Sequence, residues 1–482
     1  MTLIAAARSA GVRRGGPEEA GSREGASLTW LLAAYPLWWA LGLGVLAIPF
    51  VAAVAAVKLV RRRSIAVPPA FGWWMLFLLA VVLSLANLGV DPPGTVAGTW
   101  LGNLPGATYR LGFYCCCTLI ALWAYNLVLE GVLRRERLVR LLAWLFVVTV
   151  LGGLLGTFAG HFEYTSPVEA MLPDAVARDG FVQSLVHPAA AQTMDFLGYE
   201  TPRPAAPWGY TNTWGNNFAI TAVWLVVAAF CFPVKAKWRV GAAVLLAVAL
   251  VPAVYSMNRG LWLGLAAIAV FAALRLLVSG RPAGMLALGG AGCAVVLLVV
   301  LTPLGTVVQA RMDNGHSDQG RAFSSERATE LVVEHSPVLG FGSTRKTLGS
   351  GDSIAVGPTP ECPRCGGRTL GGNGQLWQLL FAHGIAGTAT YLGFALAVLW
   401  RFRSDHSPVG IAGSAVVGLS LLSMFYYNAL VTPLLLTLLS YVLLAANRTP
   451  EAGAPLPRRG AEPRAAIDPR TDLPTGTETE NR

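Results

Sequence analysis

The chain has 482 residues, of which 54% are hydrophobic and only 13% charged, about half the charged share of a water-soluble globular protein. With a mean hydropathy of +0.54, this excludes a soluble enzyme, a disordered protein and a disulfide scaffold, and leaves a polytopic membrane protein with room for about ten to twelve spans of ~20 residues. A net charge of +10 would point to nucleic acid as the partner of a soluble domain; here Lys and Arg belong to cytoplasmic loops, where they set orientation.

Residues 1–28 read as a cytoplasmic N-terminal segment. The first apolar run starts late and is too long for a cleavable signal, and no apolar stretch follows the Arg13-Arg14 pair closely enough for an export signal. That run, from Trp30 to Val60, would cover ~45 Å as one helix, against a hydrocarbon core of ~30 Å. Pro36 and Pro49 are placed to break it, so two short spans are expected, with one long tilted helix as the alternative. Ten further runs follow at 71–90, 111–129, 139–159, 216–232, 240–256, 260–276, 284–303, 374–400, 408–427 and 429–446. The expected fold is all-α, with a membrane domain over 29–447 and about twelve transmembrane helices.

The basic residues agree with that count. Lys58 with Arg61–Arg63, then Arg134, Arg135, Arg137 and Arg140, then Lys235, Lys237 and Arg239, then Arg275 and Arg281, and last Arg401 and Arg403 all fall on one side if the spans alternate. That side is the cytoplasm, and an N-terminal segment on it requires an even number of spans before Arg61. Two long segments, 160–215 and 304–372, are left outside, the second between helices 9 and 10. Residues 448–482, rich in Pro, Ala, Arg and Glu, read as a disordered cytoplasmic tail. Loops as long as the outer two are rarely passive, so chemistry is expected outside, where there is no ATP. Gly340–Thr347 looks like a phosphate-binding loop, but Arg345 stands where that motif needs Gly and the side is wrong.

The larger outer loop holds seven Lys/Arg and seven Asp/Glu, which reads first as a solvated, self-paired surface. Within it, Ser324–His335 reads as a short helix capped by Ser324 or Ser325 and ended by Pro337, with Leu331 and Val332 facing the membrane domain. Arg327 then lies in the first turn, where a cation opposes the helix dipole and calls for an anionic partner. Arg259 falls in the very short outer connection between the seventh and eighth spans. Two readings stand for it: snorkelling to lipid head groups, or binding an anionic group such as a lipid diphosphate. Close approach at Gly260 and the forked guanidinium favour the second. Arg110 is a third such candidate.

These residues form a pattern. Arg259-Gly-Leu-Trp-Leu263 at a helix mouth, Tyr210-Thr-Asn212-Thr-Trp214-Gly215, Arg327 followed by Pro337-x-x-Gly340-x-Gly342, and Asn373-Gly374 followed by Gly384-Ile-Ala-Gly387 resemble, in this order, the motifs of the O-antigen ligase and O-antigen polymerase superfamily. The resemblance covers roughly residues 30–446 and extends to the twelve-span layout. It implies metal-independent, cofactor-free glycan transfer on the outer face of the bacterial inner membrane, in a multi-pass protein. The donor would be a glycan on polyprenyl diphosphate, and the acceptor a lipid or another glycan. On this reading Arg259 and Arg327 contact diphosphate and Asn373 lines the acceptor site. Arg110, Asn212, Trp214, Arg321 and Gln375 join the substrate-binding set, and Asn373 with Gln375 hydrogen-bonds sugar hydroxyls. Partners are these substrates and membrane lipids, not nucleic acid.

One departure matters. The family's tenth span opens with a histidine, and here that position is Asn373, which has no useful pKa for general-base work. His335, His316 and Glu334 are the candidates to replace it. His383 reads as a packed, hydrogen-bonded helix-interface residue. In the first outer segment His161, Glu163, Glu169, Asp174 and His187 show no spacing that singles out a pair, and read as solvated. Trp208, Tyr210 and Trp214 are either interfacial anchors or sugar-stacking platforms. Cys115, Cys116, Cys117, Cys231 and Cys293 read as apolar fillers in spans, while Cys362 and Cys365 read as a local disulfide. Two rival classes stand: a transporter or flippase, which should carry internal repeats and midplane charges, and a non-catalytic protein that binds lipid-linked glycan.

Overall fold

The computed structural model describes residues 24–195, 200–313, 316–348 and 369–447; the side chains of 194–195, 200, 313 and 316–321 are outside that set. The N-terminal segment before residue 24, the C-terminal tail and the Cys362–Cys365 pair therefore lie outside the described residues. What is described is helical, apart from two short two-stranded ribbons. Seven helices are long and apolar enough to cross a membrane, and four more apolar helices are shorter, as befits an all-α membrane protein.

The run from Trp30 to Val60 is not one long helix: it is broken and doubles back. Helices α1 (Ala26–Ala33) and α2 (Tyr35–Ala40) lead into a turn, and α3 (Ala47–Val60) returns. Pro36 starts α2 and Pro49 lies in the first turn of α3, where proline is tolerated. The reversal itself falls on Gly42, at φ 78°. Any Cβ there would lie 2.2 Å from Ser166 Oγ. Arg62, just after α3, bonds Glu24 at 2.8 Å and also pairs with Glu130, so the start of α1 and the end of α3 meet at one end of the bundle.

The remaining helices are α4 (Phe71–Ser84), α5 (Trp100–Leu129), α6 (Arg135–Phe158), α7 (Thr211–Val226), α8 (Ala236–Tyr255), α9 (Arg259–Val278), α10 (Pro282–Leu301), α11 (Leu304–Asp313), α12 (His316–His335), α13 (Gln375–Arg401), α14 (Pro408–Ser423) and α15 (Thr432–Ala446). At the same end as Arg62, Arg135 donates to Ala446 O, Asn447 bonds Asp405 and Ser407, Arg275 donates to Arg403 O, and Arg281 donates to His406 O. Four of the five basic clusters of the sequence meet there. The buried tryptophans explain the interior. Trp74, Trp123, Trp214 and Trp224 are fully enclosed; three of the indole N–H groups find an acceptor, Thr118 Oγ1, Thr149 O and Ser440 Oγ, while that of Trp123 has none among the described residues. An unpaired donor in such surroundings would cost several kcal/mol, of order 4–8 by transfer to an apolar solvent.

Two sequence expectations need correction. Part of the stretch 304–372 expected as outer loop is helical, as α11 and α12. Helix α12 also begins at His316, so Ser324 is a buried mid-helix residue and not a cap. Arg327 consequently lies well past the first turn, and the dipole argument for an anionic partner lapses. Leu331 and Val332 do face inward, packed with Ala328, Phe341, Leu370 and Phe381.

Helix α13 is broken at Gly384 (φ 62°, ψ −163°), and the turn after α12 is threaded into the break. Phe341 N–H donates to Phe381 O at 2.9 Å and Gly342 N–H to Ala382 O at 2.7 Å; Ile385 and Ala386 N–H donate to Pro337 O and Val338 O. Groups freed by the break are thus satisfied by another backbone, as an apolar setting requires. The fit depends on glycine: a Cβ on Gly384 would lie 2.3 Å from Val338 O, and one on Gly340 would lie 2.6 Å from Gly384 N. Gly384→Ala should therefore lose about 2 kcal/mol or more, read as a lowered thermal unfolding midpoint of the detergent-purified protein. Gly289→Ala, where a Cβ meets nothing within 4 Å, should leave the midpoint unchanged. Equal stability of the two variants would show that the interlock contributes little.

Candidate functional site

The end of the bundle opposite Arg62 holds the candidate residues. After the Gly340–Gly342 turn, Ser343 and Thr344 lie over α5, and both hydroxyls accept from Arg110: Nη1 to Ser343 Oγ and Nη2 to Thr344 Oγ1, each at 2.9 Å. Helix α5 begins at Trp100, well before the expected span start, so Arg110 stands three turns inside a helix and not at its mouth. Among the described residues no carboxylate pairs with this half-buried guanidinium; hydroxyls and the Gly106 carbonyl are its partners.

Arg345, the next residue, does different work. It is 3% exposed, and its guanidinium donates to the carbonyls of Leu88, Val90, Phe341, Ser343 and Thr344. Asp91 lies 4.0 Å from its Nε. Burial pushes its pKa below the usual arginine value, against the opposing pull of Asp91. Arg345 is therefore a brace. It ties the 88–96 segment to a two-stranded ribbon, where Arg345–Lys346 pairs with Thr369–Leu370 and Val96 N–H donates to Lys346 O. The Gly340–Thr347 stretch thus enters a β ribbon and carries no helix N-terminus, in keeping with its rejection as a phosphate loop.

Arg259 opens α9. Asn258 caps that helix through Leu261 N–H, accepts a hydrogen bond from Tyr427 OH and donates to Thr211 O. Two buried arginines grip the same turn: Arg203 Nε donates to Ser256 O at 2.6 Å and Arg311 Nε to Met257 O at 3.2 Å. Cations at the C-terminal end of α8 are favourable to its dipole, and they hold Met257 at φ 49°. Tyr427 O in turn accepts from Gln375 N–H, and Gln375 Nε2 donates to Tyr114 OH. A hydrogen-bonded chain therefore runs from the Arg259 turn to the start of α13 and on to α5, one turn beyond Arg110.

The remaining expected site residues divide. Arg327 pairs with Glu330 at 2.7 Å and reaches Pro93 O at 3.5 Å, on the outer surface beside the 91–95 segment. His335 is exposed, 3.8 Å from Glu334, at the far end of α12, away from the Arg110 contacts. Asn373 is half-buried in the turn before α13, with no side-chain hydrogen bond among the described residues, and Asn212 is half-buried in the first turn of α7. The Arg321 side chain and His316 lie outside the described side chains. Two expectations fail on burial. Trp214 is 0% exposed, stacked near Phe218 and bonded to Thr149 O; Trp208 is equally enclosed, 4.3 Å from Tyr35. Neither is an interfacial anchor or a sugar platform, whereas Tyr210 is exposed. Gln375 is 1% exposed, and its amide is used at both ends, by Tyr114 and by Ala429 N–H, so it is not open to a sugar hydroxyl. His383 is the packed interface residue expected, bonded to Ser84.

Ser343, Thr344, Asn258 and Tyr427 were not singled out in the sequence. The one signal for the first two was the Ser-Thr-Arg-Lys run itself. Glu169 and His187, read as solvated, are paired: Nδ1 lies 2.7 Å from a carboxylate oxygen, and Glu169 is 8% exposed. The intervening turns and the short helices Asp174–Ala177 and Gly180–Val186 create that contact. No family model and no curated protein matches the chain, so the resemblance rests on motif order and the expected layout of spans.

The brace and the surface pair make contrasting predictions. Arg345→Ala removes charged hydrogen bonds worth roughly 1.5–3 kcal/mol each and should speed amide exchange throughout 88–96 and 341–348. Arg327→Ala removes a surface pair worth roughly 0.2–1 kcal/mol and should leave that exchange near wild type. Equal effects would refute the assignment of Arg345 as the brace.

Proposed function

We propose that the chain crosses the bacterial cytoplasmic membrane twelve times and, on the outer face, transfers or polymerises glycan carried on polyprenyl diphosphate for the cell surface. Seven long helices, four shorter apolar ones and the α1–α2 pair account for the crossings. The end where the basic clusters gather is assigned to the cytoplasm by the excess of Lys and Arg, which puts Arg110, Arg259 and Arg327 outside.

The observation that carries this reading is Arg110: a half-buried guanidinium held by two hydroxyls, without a carboxylate partner among the described residues. A cation so placed at a membrane edge is costly until an anion neutralises it. A lipid diphosphate supplies that anion, and its polyprenyl chain keeps it at the membrane. As the diphosphate leaves, charge grows on its oxygens, and a preorganised guanidinium lowers the barrier. Arg259, two hydrogen-bonded residues from Gln375, is the second contact. Arg327, paired to Glu330 on the surface, is assigned to the outer approach. A broken helix such as α13 is also a feature of secondary transporters. Here the carbonyls of Phe381 and Ala382 are taken by the 337–342 turn, which disfavours an ion site at the break.

The test is glycan profiling of surface polymer and lipid-linked intermediates in a deletion strain carrying wild type, Arg110→Ala or Arg259→Ala. Wild type should clear the lipid-linked glycan that accumulates in the deletion. Arg110→Ala should clear it at least about tenfold more slowly, the loss of one charge-assisted contact. Short single units would indicate a polymerase and long unattached chains a ligase. Unchanged intermediates in the deletion would overturn the reading in favour of a transporter or a binding protein.

A further inference from the structure

The Glu169–His187 pair has the build of an oriented base. Ser166 caps the turn Pro167–Ala170 through Glu169 N–H, and a Glu169 carboxylate oxygen accepts from Ser166 N–H at 3.3 Å in return. The carboxylate is thus buried and fixed before it meets the imidazole. Its contact with Nδ1, at 2.7 Å, holds the proton on that nitrogen and leaves Nε2 as the acceptor, the logic by which a carboxylate sets a histidine tautomer. Nε2 has no hydrogen bond among the described residues; Glu163 lies 3.8 Å away, near enough to stabilise an imidazolium and too far to occupy the nitrogen. Beside the ring is a small, partly open cleft, about 30 Å³, lined by Trp39, Gly42, Val45, His187, Pro207 and Trp208.

The location suits the proposed transfer. The short helix Gly180–Val186 ends at His187, and its Phe181 ring stands edge-on to Tyr109, 5.1 Å away, next to Arg110. At 1.5 Å per residue His187 follows Phe181 by about 9 Å.

We infer that His187, oriented by Glu169, accepts the proton of the acceptor hydroxyl in glycan transfer; the inference rests on the transferase reading above. The hydroxyl oxygen forms a bond to the anomeric carbon. The bond from that carbon to the diphosphate oxygen breaks, and its electron pair leaves with the polyprenyl diphosphate. The hydroxyl proton passes to Nε2 and then to solvent. This places the base in the first outer segment and relieves Asn373 of that role.

Two variants test it in the deletion strain, with its own accumulated lipid-linked glycan as donor and the amount of variant in the membrane measured alongside. His187→Asn keeps an N–H for Glu169 and removes the ring nitrogen that takes the proton; it should slow clearance by about a hundredfold at wild-type protein level. His187→Ala should be slow and regain activity when imidazole is added to the medium, a rescue that a structural role would not show. Clearance at the wild-type rate by His187→Asn, or a His187→Ala defect that imidazole leaves untouched, overturns the inference while Arg110→Ala still reports on the transferase reading. Absence of accumulated glycan in the deletion overturns both.

Discussion

Four backbone hydrogen bonds between the 337–342 turn and the broken middle of α13 organise the outer end of this protein. An uninterrupted helix offers no backbone group to a neighbour. By breaking at Gly384, α13 exposes carbonyls and N–H groups that must be paired in apolar surroundings, and the turn pairs them. That constraint fixes where α12 ends and presses Leu331 and Val332 against Phe341 and Phe381. It also delivers Ser343 and Thr344 to Arg110. The hydroxyls beside Arg110 are thus positioned by main-chain geometry, which Gly340 and Gly384 permit.

The membrane architecture was largely legible in the sequence because its signals are long. Apolar runs and basic clusters alternate over the whole chain, and the break expected within 30–60 followed from the length of the run, its two prolines and the charges. Local signals served less well where polar residues hid a helix. Pro105 and Asn103 interrupt the apolar run before Arg110, so the first turns of α5 went unread. Asp318 and Gly320 likewise masked the start of α12, and with it the true position of Arg327. Depth was not legible at all. A tryptophan at the start of a membrane helix reads as an anchor, yet Trp214 is enclosed because α6 passes over it, with Gly153 leaving room for its ring. Gln375 looks available in sequence and is used up by Tyr114 and Ala429. The contact between Glu169 and His187 has no sequence signature, since the turns between them set it.

The two ends of the bundle handle charge in opposite ways. At the Arg62 end, arginines meet carboxylates or the spare carbonyls at helix ends, and the outcome is structural. At the other end the fold spends Arg345, Arg203 and Arg311 on backbone carbonyls and leaves Arg110 with hydroxyls. Hydroxyls are weak and exchangeable partners for a guanidinium, so an incoming anion displaces little. A carboxylate in the same place would have to be driven off first.

Helix α10 shows what the rest of the fold does without. None of its residues is buried, and α9, which it packs along, buries only Leu261 and Gly264. At Gly289, Gly290 and Gly292 an added methyl group meets no neighbour within 4 Å. The identity of residues along α10 is therefore set by solubility in hydrocarbon and by length, not by shape. Mutational drift costs least here, and the outer flank of this hairpin offers a place to attach a probe without disturbing the machinery.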